Sequence, residues 1–367
     1  MDWKDTRQLF PVTERLAFLN NAAESPLNVR VRGRLLEYLE AAANAPHQRP
    51  PARQPVRARL AQLLGGAPEE YALVTSTGVG IGLTAAGFPW APGDNMVLPA
   101  MEHWNNTFPW LALRDRGVDV RVVPVGSDAR IDPARVAEHI DDRTKIVAVA
   151  AVRHVSGFRS DLPCLAELAH AKGALLVVDG IQAAGVVPLN VEADGIDILA
   201  GGGFKWLLGM PGTGYLYVRR ALWNTLRPAL PGMFAADDDL TQIRWLPNAS
   251  RYETGTLAYS LFHAWTAGLE ILLELGVDAI HQRVLALTSR LIEGVNAKGL
   301  TIVSPVDTPA ERSAILSFTA GSAEGNWAIM TRLAERNVSV SLRAGVCRVS
   351  PSFYNTEEEI DRVVNAL

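Results

Sequence analysis

Ala174-Leu175-Leu176-Val177-Val178-Asp179-Gly180-Ile181-Gln182 and Ile196-Asp197-Ile198-Leu199-Ala200-Gly201-Gly202-Gly203-Phe204-Lys205 are two short apolar runs that stop abruptly in glycine and a chemically active side chain. Apolar runs of this length, bounded by turn residues, read as strands buried on both faces of a parallel sheet. Working outward, Asn95 to Leu98, Asp119 to Val125, Lys145 to Val152 and Gly214 to Val218 have the same character. Pro133 to Ile140 and Leu162 to Lys172 between them read as helices, the first capped by Asp132 ahead of a proline at its first position. Alternating strands and helices over Tyr71 to Val218 predict an α/β domain, a mainly parallel central sheet with helices on both faces.

Beyond Glu253-Thr254-Gly255-Thr256 the pattern changes to one long helical stretch, Phe262 to Lys298. Strands at Ala314 to Thr319, Val338 to Leu342 and Cys347 to Ser350 follow, with helices at Asn326 to Arg336 and Glu357 to Leu367, a smaller C-terminal α+β domain. The division expected is 15–255 for the large domain and 1–14 with 256–367 for the small one. His47 to Arg53 is a basic, proline-rich loop.

With 48% hydrophobic and 20% charged residues, the 367-residue chain can bury a large core. A formal net charge of -4 carries no footprint for nucleic acid or an anionic membrane, so a small-molecule partner is expected. Ala174 to Val178 ends at Asp179, far short of a bilayer span, and Met1 to Asp5 is no secretory leader, which points to a cytoplasmic protein. Two cysteines, Cys164 and Cys347, and seven scattered histidines indicate neither a disulfide framework nor a metal site.

Asp179 and Lys205 both follow strands, so both belong at the carboxyl edge of the sheet, where open α/β folds bind ligands. The glycine run before Lys205 lets backbone approach a ligand closely. An acid and an amine facing one cleft suit a pyridoxal cofactor, the lysine forming a Schiff base and the carboxylate keeping the pyridine nitrogen protonated. On these two residues alone, a structural ion pair or two solvated loop ends reads as well.

Further motifs accompany them in order: Phe18-Leu19-Asn20-Asn21-Ala22-Ala23, Thr75-Ser76-Thr77-Gly78-Val79, Glu102-His103-Trp104-Asn105-Asn106 and His154-Val155-Ser156-Gly157. Phe204 to Gly209, Arg251 to Thr256 and Arg348 to Thr356 complete the series. The chain thereby resembles the class V aminotransferase group of fold-type I pyridoxal-phosphate enzymes, which also holds cysteine desulfurases, isopenicillin N epimerase and kynureninase. The resemblance implies pyridoxal 5′-phosphate on Lys205, which is also the general acid-base, with Asp179 at the pyridinium nitrogen and His103 stacked on the ring. It implies His154 and Gln182 at the phenolic oxygen, His154 standing where asparagine is common. Ser76, Thr77 and the amides of Gly78 and Val79 bind phosphate at a helix start. The resemblance also implies that Thr256 reaches the phosphate of the neighbouring subunit, and hence a homodimer. Gly202 and Phe204 replace the serine or threonine and the histidine that relatives often use, so fewer side chains hold the phosphate. A dinucleotide reading of Gly78 to Gly82 fails because Leu83 is not the third glycine.

Arg348 matches the family's ligand for the substrate carboxylate, a forked donor for a planar acceptor, with Arg343 and Asn20 as further candidates. Phe204, Trp104, Trp110 and the Met233-Phe234 loop are candidate walls of an apolar pocket or ordinary core. Only Ala344 to Cys347 separate the two arginines, so the cysteine loop of a persulfide-forming desulfurase is missing, and strand alternation turns Cys347 away from Arg348. The expected activity is aminotransferase-like chemistry at the α carbon of a small amino acid, with β C–S lyase or epimerase chemistry as alternatives.

Overall fold

The computed structural model of the chain describes residues 3–126, 129–237 and 241–367, so Met1 and Asp2 of the leader reading lie outside it. Its strands are β1 (Ala17–Phe18), β2 (Tyr71–Val74), β3 (Asn95–Pro99), β4 (Asp119–Val123), β5 (Thr144–Ala150), β6 (Leu175–Asp179), β7 (Ile198–Gly202) and β8 (Gly214–Val218), then β9 (Thr301–Ile302), β10 (Leu316–Thr319), β11 (Val338–Ser339), β12 (Ser341–Arg343) and β13 (Val346–Val349). Seven of them form one sheet in the order β2-β8-β7-β6-β5-β3-β4. β8 runs antiparallel to both its neighbours and the other pairings are parallel.

Alternation along each strand fills two cores, one on each face. Tyr71, Leu73, Val147, Val149, Leu176, Val178 and Leu199 face one core. Ala72, Val74, Ile146, Ala148, Val177, Ile198 and Ala200 face the other. Burial on both faces is the reason these segments read as unbroken apolar runs.

A four-stranded antiparallel sheet, β12-β13-β10-β9, forms a third core after residue 280, to which Ala17 and Leu19 contribute. β1 pairs in parallel with β11. The sequence's single helix over Phe262 to Lys298 is two, Tyr259–Leu275 and Val277–Ala297. Gly276 between them has φ +80, a left-handed conformation that an α-helix cannot carry through. The loop from His47 ends at Arg53, which opens the helix Arg53–Leu64, pairs with Glu253 and lies 4.1 Å above the Phe234 ring. Among the described residues no helix is long and apolar enough to cross a bilayer.

Candidate active site

Strands β2, β3, β5, β6 and β7 all finish at the same edge of the large sheet, and the segments leaving them bring the candidate residues together. Asp179, the last residue of β6, is buried, and its Oδ1 accepts a hydrogen bond from the Ile181 amide at 3.0 Å. Burial lifts its carboxyl to about 6, against the opposing pull of that amide and of Lys205. Lys205 sits just beyond β7, and burial brings its ammonium down to about 8 despite the attraction of Asp179.

Protein side chains fill the space beside the glycines before Lys205. A Cβ on Gly203 would stand 2.8 Å from the Trp265 ring, one on Gly201 2.6 Å from Tyr215, and one on Gly202 3.1 Å from both Ile181 and Phe204. Trp265 also donates from Nε1 to the Leu207 carbonyl at 3.0 Å, fixing the lysine loop to the helix Tyr259–Leu275. Leu208 holds φ +59 in that loop.

Ser76, Thr77, His103, His154, Asp179, Gln182 and Lys205 line one inner cavity. Ser76 caps the helix Thr77–Gly87, its Oγ accepting from Val79 N at 3.2 Å, so Gly78 and Val79 lie in the first turn behind the cavity wall. Thr77 Oγ1 is buried with no hydrogen-bond partner. Gln182 accepts from Trp206 Nε1 at 2.9 Å and donates to the Ala22 carbonyl at 3.0 Å, which leaves one amide hydrogen unused. His103 and His154 meet edge to face with ring centroids 5.0 Å apart. Burial lowers the pKa of both imidazoles, that of His154 to about 3, helped for His103 by Lys205 and for His154 by His103 and Arg348. His103 Nδ1 accepts from Asn105 N at 3.1 Å, which places the neutral ring's proton on Nε2.

An outer cleft opens from the cavity, lined by Arg348, Arg343, Ala22, Trp104, Phe204 and Thr107 among others. Arg348 is 2% exposed, donating from Nη1 to the His154 carbonyl at 2.6 Å and from Nε to Ser341 Oγ at 3.2 Å. Burial lowers its pKa to about 10, so it stays cationic near neutrality. Arg343 is exposed at the mouth. Asn20 bridges Ser350 outside both linings, its Oδ1 buried and unpartnered. Thr256 is exposed and does not line the cavity of its own chain. Trp110 is fully buried core, and Met233 is exposed away from the cleft.

Arg343 pairs directly with Val346 across a two-residue turn, Ala344 at φ +49 and Gly345 at φ +81, so the hairpin carries no inserted cysteine loop and meets the cleft only through Arg343 and Ala344. Cys347 lies in the third core, its thiol pushed up to about 11 by burial. Cys164 is partly exposed at the start of the helix Leu162–His170, and burial, Asp161 and Glu167 all raise its pKa. Neither thiol lines the cavity or the cleft. Two site neighbours carried no separate signal in sequence: Asn105, which lines the cavity and fills the space a Cβ on Gly78 would need, and the buried Glu102–Arg153 pair.

A buried lysine and aspartate at the carboxyl edge of a doubly covered sheet, with a helix N-terminus beside them, define a pyridoxal-phosphate enzyme of fold type I. The aminotransferase class-V family model matches residues 17–363, and the chain belongs to that family. It is 28% identical to a probable cysteine desulfurase of Methanothermobacter thermautotrophicus, over 98% of this chain and 96% of the relative. It is 30% identical to the uncharacterised aminotransferase YcbU of Bacillus subtilis, again over 98% and 96%. The apo cysteine desulfurase of Thermococcus onnurineus NA1 superposes with a TM-score of 0.89 at 24% identity, over 98% of this chain and 96% of that one, which shows the shared fold. The residues present fit the family's cofactor, pyridoxal 5′-phosphate: an unpartnered buried hydroxyl on Thr77 at a helix start suits a phosphate, and a buried carboxylate suits a ring cation.

Proposed function

We propose that the chain holds pyridoxal 5′-phosphate at Lys205 and works at the α carbon of a small amino acid, with amino transfer as the leading reaction. The observation that carries this reading is the convergence of Asp179, Lys205 and Arg348 on one continuous cavity and cleft. When bound, the cofactor supplies an electron sink for bonds at the α carbon. Asp179 holds the proton at the ring nitrogen, and His103 covers the ring face. His154 and the spare amide hydrogen of Gln182 flank the phenolic oxygen. Ser76, Thr77 and the amides of Gly78 and Val79 hold the phosphate. Arg348 binds the substrate carboxylate through the nitrogen its protein contacts leave free, with Arg343 beside it at the mouth, while Asn20 lies outside the cleft lining. Lys205, its pKa brought down to about 8 by burial, takes the α proton and returns it.

Lys205 is the general acid-base in this reading, and neither cysteine lines the cavity or the cleft to accept sulfur. That favours amino transfer and disfavours persulfide formation on the chain. A second reading, cleavage of a β C–S bond with sulfur leaving to a small acceptor, is favoured by the cysteine desulfurase name of a relative covering nearly the whole chain. Epimerisation needs only the same proton transfer with return to the other face. The reading includes a homodimer in which Thr256 completes the neighbouring phosphate site. It also includes a division into 15–255 against 1–14 with 256–367; a separate core supports a small C-terminal unit from Leu287 onward, while Phe10 and Leu257 to Val284 pack into the large core.

Product analysis of the protein with pyridoxal phosphate and a panel of amino acids tests the reaction. A new amino acid formed only when a 2-keto acid is supplied is the expected result. Pyruvate, ammonia and sulfide released from cysteine without an acceptor would establish the second reading, and inverted substrate alone the epimerase. No turnover of any amino acid would defeat all three.

A further inference from the structure

Strands β3 and β5 are parallel neighbours, and the segment leaving each carries a charged residue followed by a site histidine: Glu102-His103 beyond Pro99 of β3 and Arg153-His154 beyond Ala150 of β5. The two charged residues meet. Arg153 Nη1 lies 3.3 Å from Glu102 Oε1, while Arg153 Nη2 donates to the Ala100 carbonyl at 2.6 Å. One guanidinium thus grips the β3 loop on either side of Met101, a non-glycine residue held at φ +61. Such a conformation persists only where its surroundings over-determine it. Glu102 Oε2 accepts from Asn106 Nδ2 at 3.3 Å, and Asn106 Oδ1 from the indole of Trp110 at 3.0 Å, which ties the grip to a fully buried core residue.

Stability alone is a poor reason for this pair. The two side chains are 3% and 1% exposed, and the desolvation of a pair so deeply buried offsets its attraction. Its consequence lies one residue further along each segment, where the His103 and His154 rings meet at 86° and face the cavity that ends at Lys205.

We propose that the Glu102–Arg153 pair is a positioning device that sets the two imidazoles against each other, and so fixes their placement over the cofactor cavity. This rests on the reading of His103 and His154 as cofactor contacts. Neither charged residue needs to touch the cofactor. Each acts through the histidine next to it, and Arg153 does so because a guanidinium bridges two acceptors in a fixed fork that an ammonium does not reproduce.

The test uses holoenzyme reconstituted with pyridoxal phosphate, comparing wild type with Arg153→Lys, which keeps the charge and loses the fork. A double variant, Glu102→Leu with Arg153→Met, removes both charges together and avoids an unpaired buried ion. The expected result is retained cofactor and a melting temperature close to wild type. Alongside these, the visible absorption maximum should shift, the induced circular dichroism should weaken, and the spectral response to amino acid should slow by roughly tenfold, the scale of a small misplacement of a site group. Wild-type spectra and rates in a folded variant of either kind would overturn the proposal. A wild-type protein that takes up no pyridoxal phosphate would instead overturn the reading beneath it, and the positioning role with it.

Discussion

Lys205 is an amine whose burial outweighs the attraction of Asp179, and the result is a pKa near 8 where an ordinary lysine titrates above 10. Only the neutral amine attacks a carbonyl, so near neutral pH the protein offers on the order of a hundredfold more nucleophile than an exposed lysine does. Capture of pyridoxal phosphate by apo protein is therefore expected to rise with pH up to about 8 and then level off, followed by absorbance in stopped flow. A rate still climbing toward pH 10 would show an unperturbed lysine. Asp179, Lys205 and Arg348 were legible in the sequence because each stands at a strand end or on a strand whose alternation fixes its direction. Asn105 and the Glu102–Arg153 pair were not, because their importance comes from contacts across loops that no spacing along the chain encodes. The glycines at 201–203 were legible as a constraint, and their missing side chains also make room for Tyr215, Phe204 and Trp265.

The strands β3 to β8 matched the predicted runs to within a few residues, most of them because they are buried on both faces, whereas the edge strand β4 is half exposed and β2 was not singled out. The helices were less transparent. Val29–Asn44 buries only Val31 and Tyr38, so its apolar pattern is weak, whereas Arg53–Leu64 carries Val56, Leu60 and Leu64 at helical spacing behind a proline-rich lead. The join between Tyr259–Leu275 and Val277–Ala297 was hidden because apolar residues recur on both sides of Gly276 and the break is one residue long. A Cβ on Gly276 meets nothing within 4 Å, so its cost is purely conformational. Gly276→Ala is expected to destabilise the protein by about 1 kcal/mol, read as a lower urea midpoint with unchanged slope. An unchanged midpoint would mean the two helices adjust around the join at no cost.

Across the whole molecule, the site draws on segments from Ala22 to Arg348, and the resemblance over most of the chain made its fold legible before any geometry. Thr256 is exposed and lines neither the cavity nor the cleft of its own chain. If Thr256 serves the neighbouring subunit, mixing Lys205→Ala with Thr256→Ala chains yields hybrid dimers with one intact site, and activity should return on subunit exchange. Two inactive variants that stay inactive as a verified hybrid would place Thr256 elsewhere. The central claim is simpler and comes first: an absorption spectrum of the purified protein with pyridoxal phosphate, beside Lys205→Ala. The account predicts a visible band that requires Lys205 and changes when particular amino acids are added, while an absent band, or one equally present without Lys205, would contradict it.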